Sequence, residues 1–241
     1  MTASAATGRP AVLVADLAAA GPLLGALAAR GVPADVQVAG DLRLDLAIRR
    51  VDATAVVNLV GEDATAAVRA FTAEYLAYLA DIQVPTVNGL DAFVIGASRA
   101  RQLALLDHLG VHHPPARVVA DASGVDAAVA ELGAGAAATV VWDGPPVVVQ
   151  AAADAGEIVT LAYVAGRQVA ALAGGETVAV DPALARLGEE IVRTGGLELG
   201  SLRFGVDALR GTPTCVGVST GWPIAVLDEV ADHVLGRITA G

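Results

Sequence analysis

Short runs of β-branched and aliphatic residues recur along this chain, each followed by a longer stretch whose apolar residues return at helical spacing. That alternation restricts the fold to layered α/β arrangements. Residues 11–15 (AVLVA) read as a buried strand, and Gly21-Pro22 opens a helix with proline in its first turn, running through Leu23, Leu24 and Leu27 to a stop at Gly31. Residues 35–38 and 55–59 (AVVNL) read as two further strands, so the first third of the chain is a doubly wound βαβ unit with a right-handed crossover. A helix after Gly61-Glu62-Asp63 carries Val68, Phe71, Tyr75, Leu76 and Leu79 on one face; its aromatics read as core, and Glu62 and Asp63 as acidic residues favoured by the helix dipole.

Composition sets the chemistry. The chain is 55% hydrophobic but only 3% aromatic, so its core is built from Ala, Val and Leu. A net charge of −11 opposes nucleic acid and anionic lipid as partners. The single cysteine, Cys215, permits no internal disulfide and fits a reducing compartment. The N-terminus shows no basic region followed by an apolar block, and no apolar run reaches the roughly 18 residues of a membrane span; a soluble, cytoplasmic protein is expected. All 15 basic residues are arginine. The absence of lysine closes every mechanism that needs an ε-amine, including a Walker-type phosphate lysine and a Schiff base.

The most distinctive passage is Val84-Pro85-Thr86-Val87-Asn88-Gly89, a short helix over 91–96, then a helix from Ser98 as N-cap through Arg99, Gln102 and Leu106 to Gly110, followed by an extended entry, His112-His113-Pro114-Pro115-Ala116-Arg117-Val118-Val119. It resembles the ATP-grasp superfamily, in particular the RimK-like ligases that add glutamate to ribosomal proteins and their glutathione-synthetase and D-alanine ligase relatives. The resemblance extends loosely to the C-terminus. It implies an ATP-grasp-like α/β fold: a pre-ATP-grasp-like domain over 1–89, a connecting helix and strand over 90–120, and a reduced α+β ATP-grasp-like domain over 121–241.

The resemblance also fixes where chemistry is expected, and this chain departs from the pattern there. Arg99 stands at one phosphate lysine, keeping its charge without its compact geometry. The second lysine falls on strand 139–143, at Trp142 or Asp143. The family's glycine-rich lid follows that strand, whereas this chain passes through Asp143-Gly144-Pro145-Pro146 directly into residues 147–150, a hairpin length. Gln150 matches the adenine hinge, and Ala151 replaces the acidic residue after it.

Residues 157–171 read as two strands joined at Ala165-Gly166. The resemblance places a substrate- and phosphate-contacting arginine at Thr160; Arg167 reads as a solvated strand residue. Asp181-Pro182 opens a helix through Leu184, Leu187, Ile191 and Val192 to Gly195-Gly196. Residues 202–207 and 214–219 then read as a β-hairpin whose Asp, Glu and Asn would hold two magnesium ions in the family. Asp207 matches the first ligand; Gly217 and Ser219 replace the other two. One carboxylate does not satisfy two hard, near-octahedral cations.

The last helix, over 224–238, buries Val226, Leu227, Val230, Val234 and Leu235 and presents Asp228, Glu229, Asp232 and His233 outward. His112-His113 reads as a solvated turn, Cys215 as an inert buried thiol, and residues 133–138 as a connecting loop. Together these features imply a degenerate homologue without ATP-dependent ligation, acting as a binding or accessory protein for an active relative or for an amino-acid or peptide-like ligand, within a homo- or hetero-oligomer. No cofactor is expected on that reading. Two alternatives stay open: an active carboxylate–amine ligase using ATP and Mg²⁺, and an enzyme that has turned the emptied cleft to other chemistry.

Overall fold

The central strand β1 (Ala11–Val14) is buried at every position because it has a parallel neighbour on each side, β2 (Asp35–Val38) and β3 (Val56–Asn58), and helices on both faces. The computed structural model describes residues 8–44, 51–133, 139–142, 147–151, 156–206 and 212–240. A short fourth strand, β4 (Thr86–Val87), extends the parallel sheet beyond β3, giving the order β2-β1-β3-β4. Alternate residues of β1 serve opposite faces. Val12 and Val14 pack with Leu23 and Leu27 of α1 (Gly21–Ala29) and with Val230 and Val234 of the C-terminal helix. Ala11 and Leu13 pack with Tyr75, Leu76 and Leu79 of α2 (Ala66–Asp81) and with Phe93 of α3 (Leu90–Gly96).

The expected α2 aromatics are core: Tyr75 is buried and its hydroxyl donates to Gln37, with Phe71 stacked alongside. The helix does not begin at the acidic residues, however. Thr65 caps it, accepting from Val68 N–H, and its first turn holds no acidic residue. Glu62 lies in the preceding loop, free of a role at the helix dipole.

Helix α4 (Arg99–His108) starts at the Ser98 cap as the sequence indicates. After it, β5 (Ala116–Val119), α5 (Val125–Glu131), β6 (Thr139–Trp142) and β7 (Val147–Gln150) form a small unit whose three antiparallel strands lie in the order β5-β7-β6. A second, five-stranded sheet contains β8 (Glu157–Val164), β9 (Arg167–Ala173), β10 (Glu176–Thr177), β11 (Leu199–Val206) and β12 (Thr214–Ser219) in the order β10-β9-β8-β11-β12. The β8–β9 turn uses two consecutive left-handed residues, Ala165 and Gly166 (φ 54° and 73°), the geometry that a two-residue hairpin demands. Under this sheet, Leu105 and Leu106 of α4 and Ile191 and Val192 of α6 (Pro182–Thr194) pack on Leu161, Tyr163, Leu202 and Phe204.

The closing helix α7 (Leu227–Ala240) buries Val230 and Val234 as expected. Its polar face is exposed, as expected, but not unpartnered. Arg30 at the end of α1 bonds Asp232 at 2.6 Å and Asp228 at 3.0 Å, and His233 meets Glu198 at 3.1 Å. These contacts link α7 to the end of α1 and to the residue before β11, with both aspartate side chains still largely exposed.

Two buried asparagines join the two sheets. Asn88, left-handed at φ 53°, donates through its side-chain amide to the Thr220 carbonyl at 3.3 Å and accepts from the buried Leu199 N–H at 2.9 Å. Asn58 at the end of β3 donates to the Asn88 carbonyl and accepts from Val60 N–H. One side chain thus holds the last residue of the β4 turn, the first residue of β11 and the residue after β12 together. Replacing Asn88 with alanine leaves a buried N–H and a buried carbonyl without partners and keeps a side chain in the left-handed region. Each buried orphan costs about 1–3 kcal/mol. Urea denaturation of N88A is expected to show a loss of about 2–4 kcal/mol on that scale, and N88G, which removes the backbone strain alone, should recover only a small part of it.

Candidate functional site

Where α4, the loop before α2 and the exposed edge of β11–β12 meet, the fold leaves a polar cavity of about 400 Å³ lined by Glu62, Arg99, Gln102, Gln150, Ser201, Arg203, Gly217 and Ser219. Four of the five residues singled out from the sequence, Arg99, Gln150, Gly217 and Ser219, come together here. The fifth, Asp207, lies outside the described residues, as do Asp143 and the 143–146 connection.

Arg99 sits at the first position of α4 and is only 5% exposed. Its guanidinium is held by neutral acceptors: Gln150 Oε1 takes bonds from Nε and Nη2 at 3.2 and 2.9 Å, Gln102 Oε1 one from Nη1 at 2.9 Å, and the Val216 carbonyl one from Nη2 at 3.1 Å. The two glutamines are fixed in turn, Gln150 by donating to the Pro114 carbonyl and Gln102 by donating to the Gly96 carbonyl. Gln150 is therefore the anchor of Arg99, joining β7 to α4. Among the described residues no carboxylate lies within ion-pair distance of this buried cation. Burial without a direct counter-charge is costly, several kcal/mol per ion even after relaxation, and it pushes the Arg99 pKa down.

Arg203 was not singled out from the sequence, and it proves central. It lies on β11 directly opposite Gly217 of β12 on one side and Thr160 of β8 on the other, so all three residues share one face of the sheet. Its guanidinium occupies the space that a side chain at 217 would fill: a Cβ there would stand 2.9 Å from both Nε and Nη2. The position that the resemblance assigns to a metal-binding carboxylate is thus covered by a cation. Arg203 stands directly across from Thr160, the position at which the resemblance has an arginine and this chain does not. The signal in the sequence was a lone arginine between apolar neighbours on a strand facing a glycine, but it is legible only once the register is known.

Glu62 is the cavity's carboxylate among the described residues. It lies at the mouth, largely exposed, yet partial desolvation raises its pKa, outweighing Arg99, the Gln102 amide and Arg203, which act in the opposite direction. Ser201 Oγ donates to the Gly221 carbonyl and Ser219 Oγ accepts from Gly221 N–H, so both hydroxyls are engaged by the turn after β12. No group of three His, Cys, Asp or Glu side chains converges on a possible metal position among the described residues.

The remaining candidates lie elsewhere. His113 bonds the Pro114 carbonyl and Asp107 in the turn after α4, and Arg167 is exposed at a strand start. Cys215 is fully buried beneath the cavity, and burial raises its thiol pKa to about 11 despite Arg99 and Arg203 nearby.

No sequence-family model matches the chain, and no curated protein does. Solved structures do. The chain superposes on a RimK domain ATP-grasp protein from Sphaerobacter thermophilus with a TM-score of 0.73 and 24% identity, covering 94% of this chain and 100% of that one. These are fold-level likenesses, and they place the chain among proteins of ATP-grasp fold. Within that class it is also similar to the ligase PsnB, complexed with precursor peptide PsnA2 and AMPPNP (TM-score 0.71, 15% identity, 99% of both chains). A third likeness is to the macrocyclase MdnC of Microcystis aeruginosa, bound to precursor peptide MdnA (TM-score 0.61, 12% identity, 94% and 99% of the chains). No helix among the described residues is long and apolar enough to cross a membrane.

Two expectations follow from the site. Because Glu62 has a raised folded-state pKa, its protonated form is the one folding favours; its contribution is present below the ordinary carboxylate range and lost as pH rises through the folded value. E62Q should therefore melt slightly higher than the parent at pH 7, with the gap closing as the pH falls below about 4; a gap that widens in acid contradicts the assignment. Cys215, buried and un-ionised, should react with a disulfide reagent at pH 8 only as fast as the protein unfolds, and stoichiometrically in denaturant.

Proposed function

We propose that this chain is an ATP-grasp homologue that does not carry out metal-dependent ligation and acts instead as a binding or accessory protein, with the cavity of Arg99, Gln150 and Arg203 as its ligand site. The observation that carries this reading is the guanidinium of Arg203 over Gly217. Magnesium needs several oxygens at near-octahedral geometry, and a guanidinium in the ligand's place repels it. The described residues therefore do not fit a pair of magnesium ions, and ATP without them has its triphosphate charge unneutralised. The antiparallel pairing of β6 with β7, joined through the four residues 143–146, is consistent with a hairpin at the place where the family has its phosphate lid. The absence of lysine at position 99 and throughout the chain points the same way.

On this reading the chain is organised as a pre-ATP-grasp-like unit over 1–89, a connection over 90–120 and a reduced ATP-grasp-like unit over 121–241. It works in the cytoplasm beside an active homologue or an amino-acid or peptide ligand, as part of an assembly. The precursor-peptide complexes of PsnB and MdnC support a peptide-like ligand.

A second reading, an active carboxylate–amine ligase using ATP and Mg²⁺, is favoured by one feature: cations persist at 99 and, displaced by a strand, opposite 160. The two readings part in an ADP-release assay with Mg²⁺ and ATP across amino acids and short acidic peptides. Release at the background rate, with no calorimetric heat for Mg²⁺–ATP, is the expected result. Steady turnover abolished by R99Q would establish the ligase.

A further inference from the structure

Both asparagines of the chain, Asn58 and Asn88, sit in the joint between the sheets, and the second is followed by glycine. Asparagine is chemically labile, and Asn-Gly is the pair in which main-chain attack on the side-chain amide is least hindered, because glycine has no Cβ to keep its nitrogen away. The native fold blocks that attack. Asn88 is fully buried, so water does not reach it. Its Nδ2 donates to the Thr220 carbonyl at 3.3 Å and its Oδ1 accepts from Leu199 N–H at 2.9 Å, which stops the amide from turning toward the Gly89 nitrogen. Gly89 is held as well, its carbonyl accepting from Phe93 N–H at 2.9 Å as α3 begins.

The fold itself does not call for glycine at 89. The backbone there is extended (φ −64°, ψ −162°), and within 4 Å a Cβ would meet only the Thr86 side chain, at 3.9 Å, an ordinary van der Waals contact. The consequence of this glycine is chemical.

We propose that Asn88-Gly89 is a latent deamidation site, held closed by the folded joint and opened by unfolding, whose reaction prevents the chain from folding again. In the opened chain the Gly89 nitrogen gives up its proton to solvent base and bonds to Asn88 Cγ. The Cγ–Nδ2 bond breaks, the nitrogen leaves as ammonia, and a five-membered succinimide closes. Water then opens the ring at either carbonyl, giving aspartate or isoaspartate. One water is taken up and one ammonia released, with no oxidation or reduction. Neither product rebuilds the joint. Aspartate turns a carboxylate oxygen toward the Thr220 carbonyl, where an N–H had donated, and so buries two facing acceptors and a charge. Isoaspartate adds a methylene to the main chain between β4 and α3 and moves the side chain's anchor. Covalent change thereby drains the unfolded state. Asn58, followed by Leu59, lacks the open approach and stays intact.

The full chain tests this when held at pH 8 with a thiol reductant, either in guanidinium chloride or in the same buffer without denaturant, then sampled over days, diluted to refold, and separated into folded and unfolded pools. Trypsin cuts only at arginine in this lysine-free chain, so residues 70–99 emerge as one peptide whose fragments locate the mass gain. Residue 88 is expected to deamidate in denaturant and to stay amidated in the folded chain, with the modified molecules gathering in the unfolded pool. G89A should react severalfold more slowly and keep its refolding yield correspondingly longer; that rate is read in the unfolded chain and does not depend on the variant's stability. N88D, which carries the aspartyl product from the start, should melt well below the parent. Equal deamidation in the folded chain, none in denaturant, modified molecules refolding as well as unmodified ones, yield lost at the parent's rate in G89A, or N88D melting with the parent overturns the proposal.

Discussion

The amide of Asn88 is the joint on which the molecule depends. Its carbonyl oxygen and amide nitrogen reach Leu199 and Thr220, at the near ends of the two strands that carry the cavity face, and its own carbonyl is held by Asn58 of the parallel sheet. That joint adds directional bonds to the apolar packing between the sheets, where Val12, Val14 and Val57 share a core with Ala162, Val164 and Leu199, and so sets the loop bearing Glu62 against the strands bearing Arg203 and Gly217. A buried amide suits this task because it donates and accepts at once and its geometry is directional. The close approach of Gly96 to Thr220, where an added methyl would overlap the Thr220 side chain, seats α3 and the start of α4 against the same point.

From that joint the cavity follows by register. β11 pairs with β8 so that Arg203 meets Thr160, and with β12 so that it meets Gly217. The irregularity in the β11–β12 ladder falls between Arg203 and Phe204. Phe204 and Leu202 turn to the core while Arg203 turns to solvent. Gln150 closes the other side, its place on β7 fixed by pairing with Ala116 and Thr139. The buried Arg99 is the cost of this design, and the neutral glutamine oxygens that receive it offset part of its desolvation.

Much of this was legible in the chain itself. Strands β1, β2 and β3, the Ser98 and Asp181 caps, the Ala165-Gly166 turn and the apolar stripe of α7 are all local signals, carried by period and by turn chemistry. The resemblance pointed to Arg99, Gln150, Gly217 and Ser219 one by one, and the fold gathers them around one cavity. What the chain concealed was relational. Arg203 gains meaning only from strands 43 and 14 positions away in the numbering, at Thr160 and Gly217. Glu62 looked like a helix-dipole acid because the start of α2 was placed too early; Thr65 holds that start. The polar face of α7 is exposed as the sequence indicates, but its partner Arg30 lies about 200 residues upstream and could not be read from the helix alone. The two-residue β4 and β10 carry too little pattern to be seen alone.

The two guanidinium groups of the cavity within a chain of net charge −11 have a kinetic consequence. In 0.1 M salt the net charge acts only within a Debye length of about 10 Å, so an anion meets the chain's repulsion close to the surface and the cavity cations at shorter range still. Added salt screens the repulsion on approach as well as the attraction inside, so an anion's approach should lose its penalty with ionic strength even as its bound state weakens, the reverse of ordinary electrostatic steering. A carrier whose remaining surface is neutral or basic escapes that barrier, and the acidic surface thereby acts as a filter on how an anion arrives.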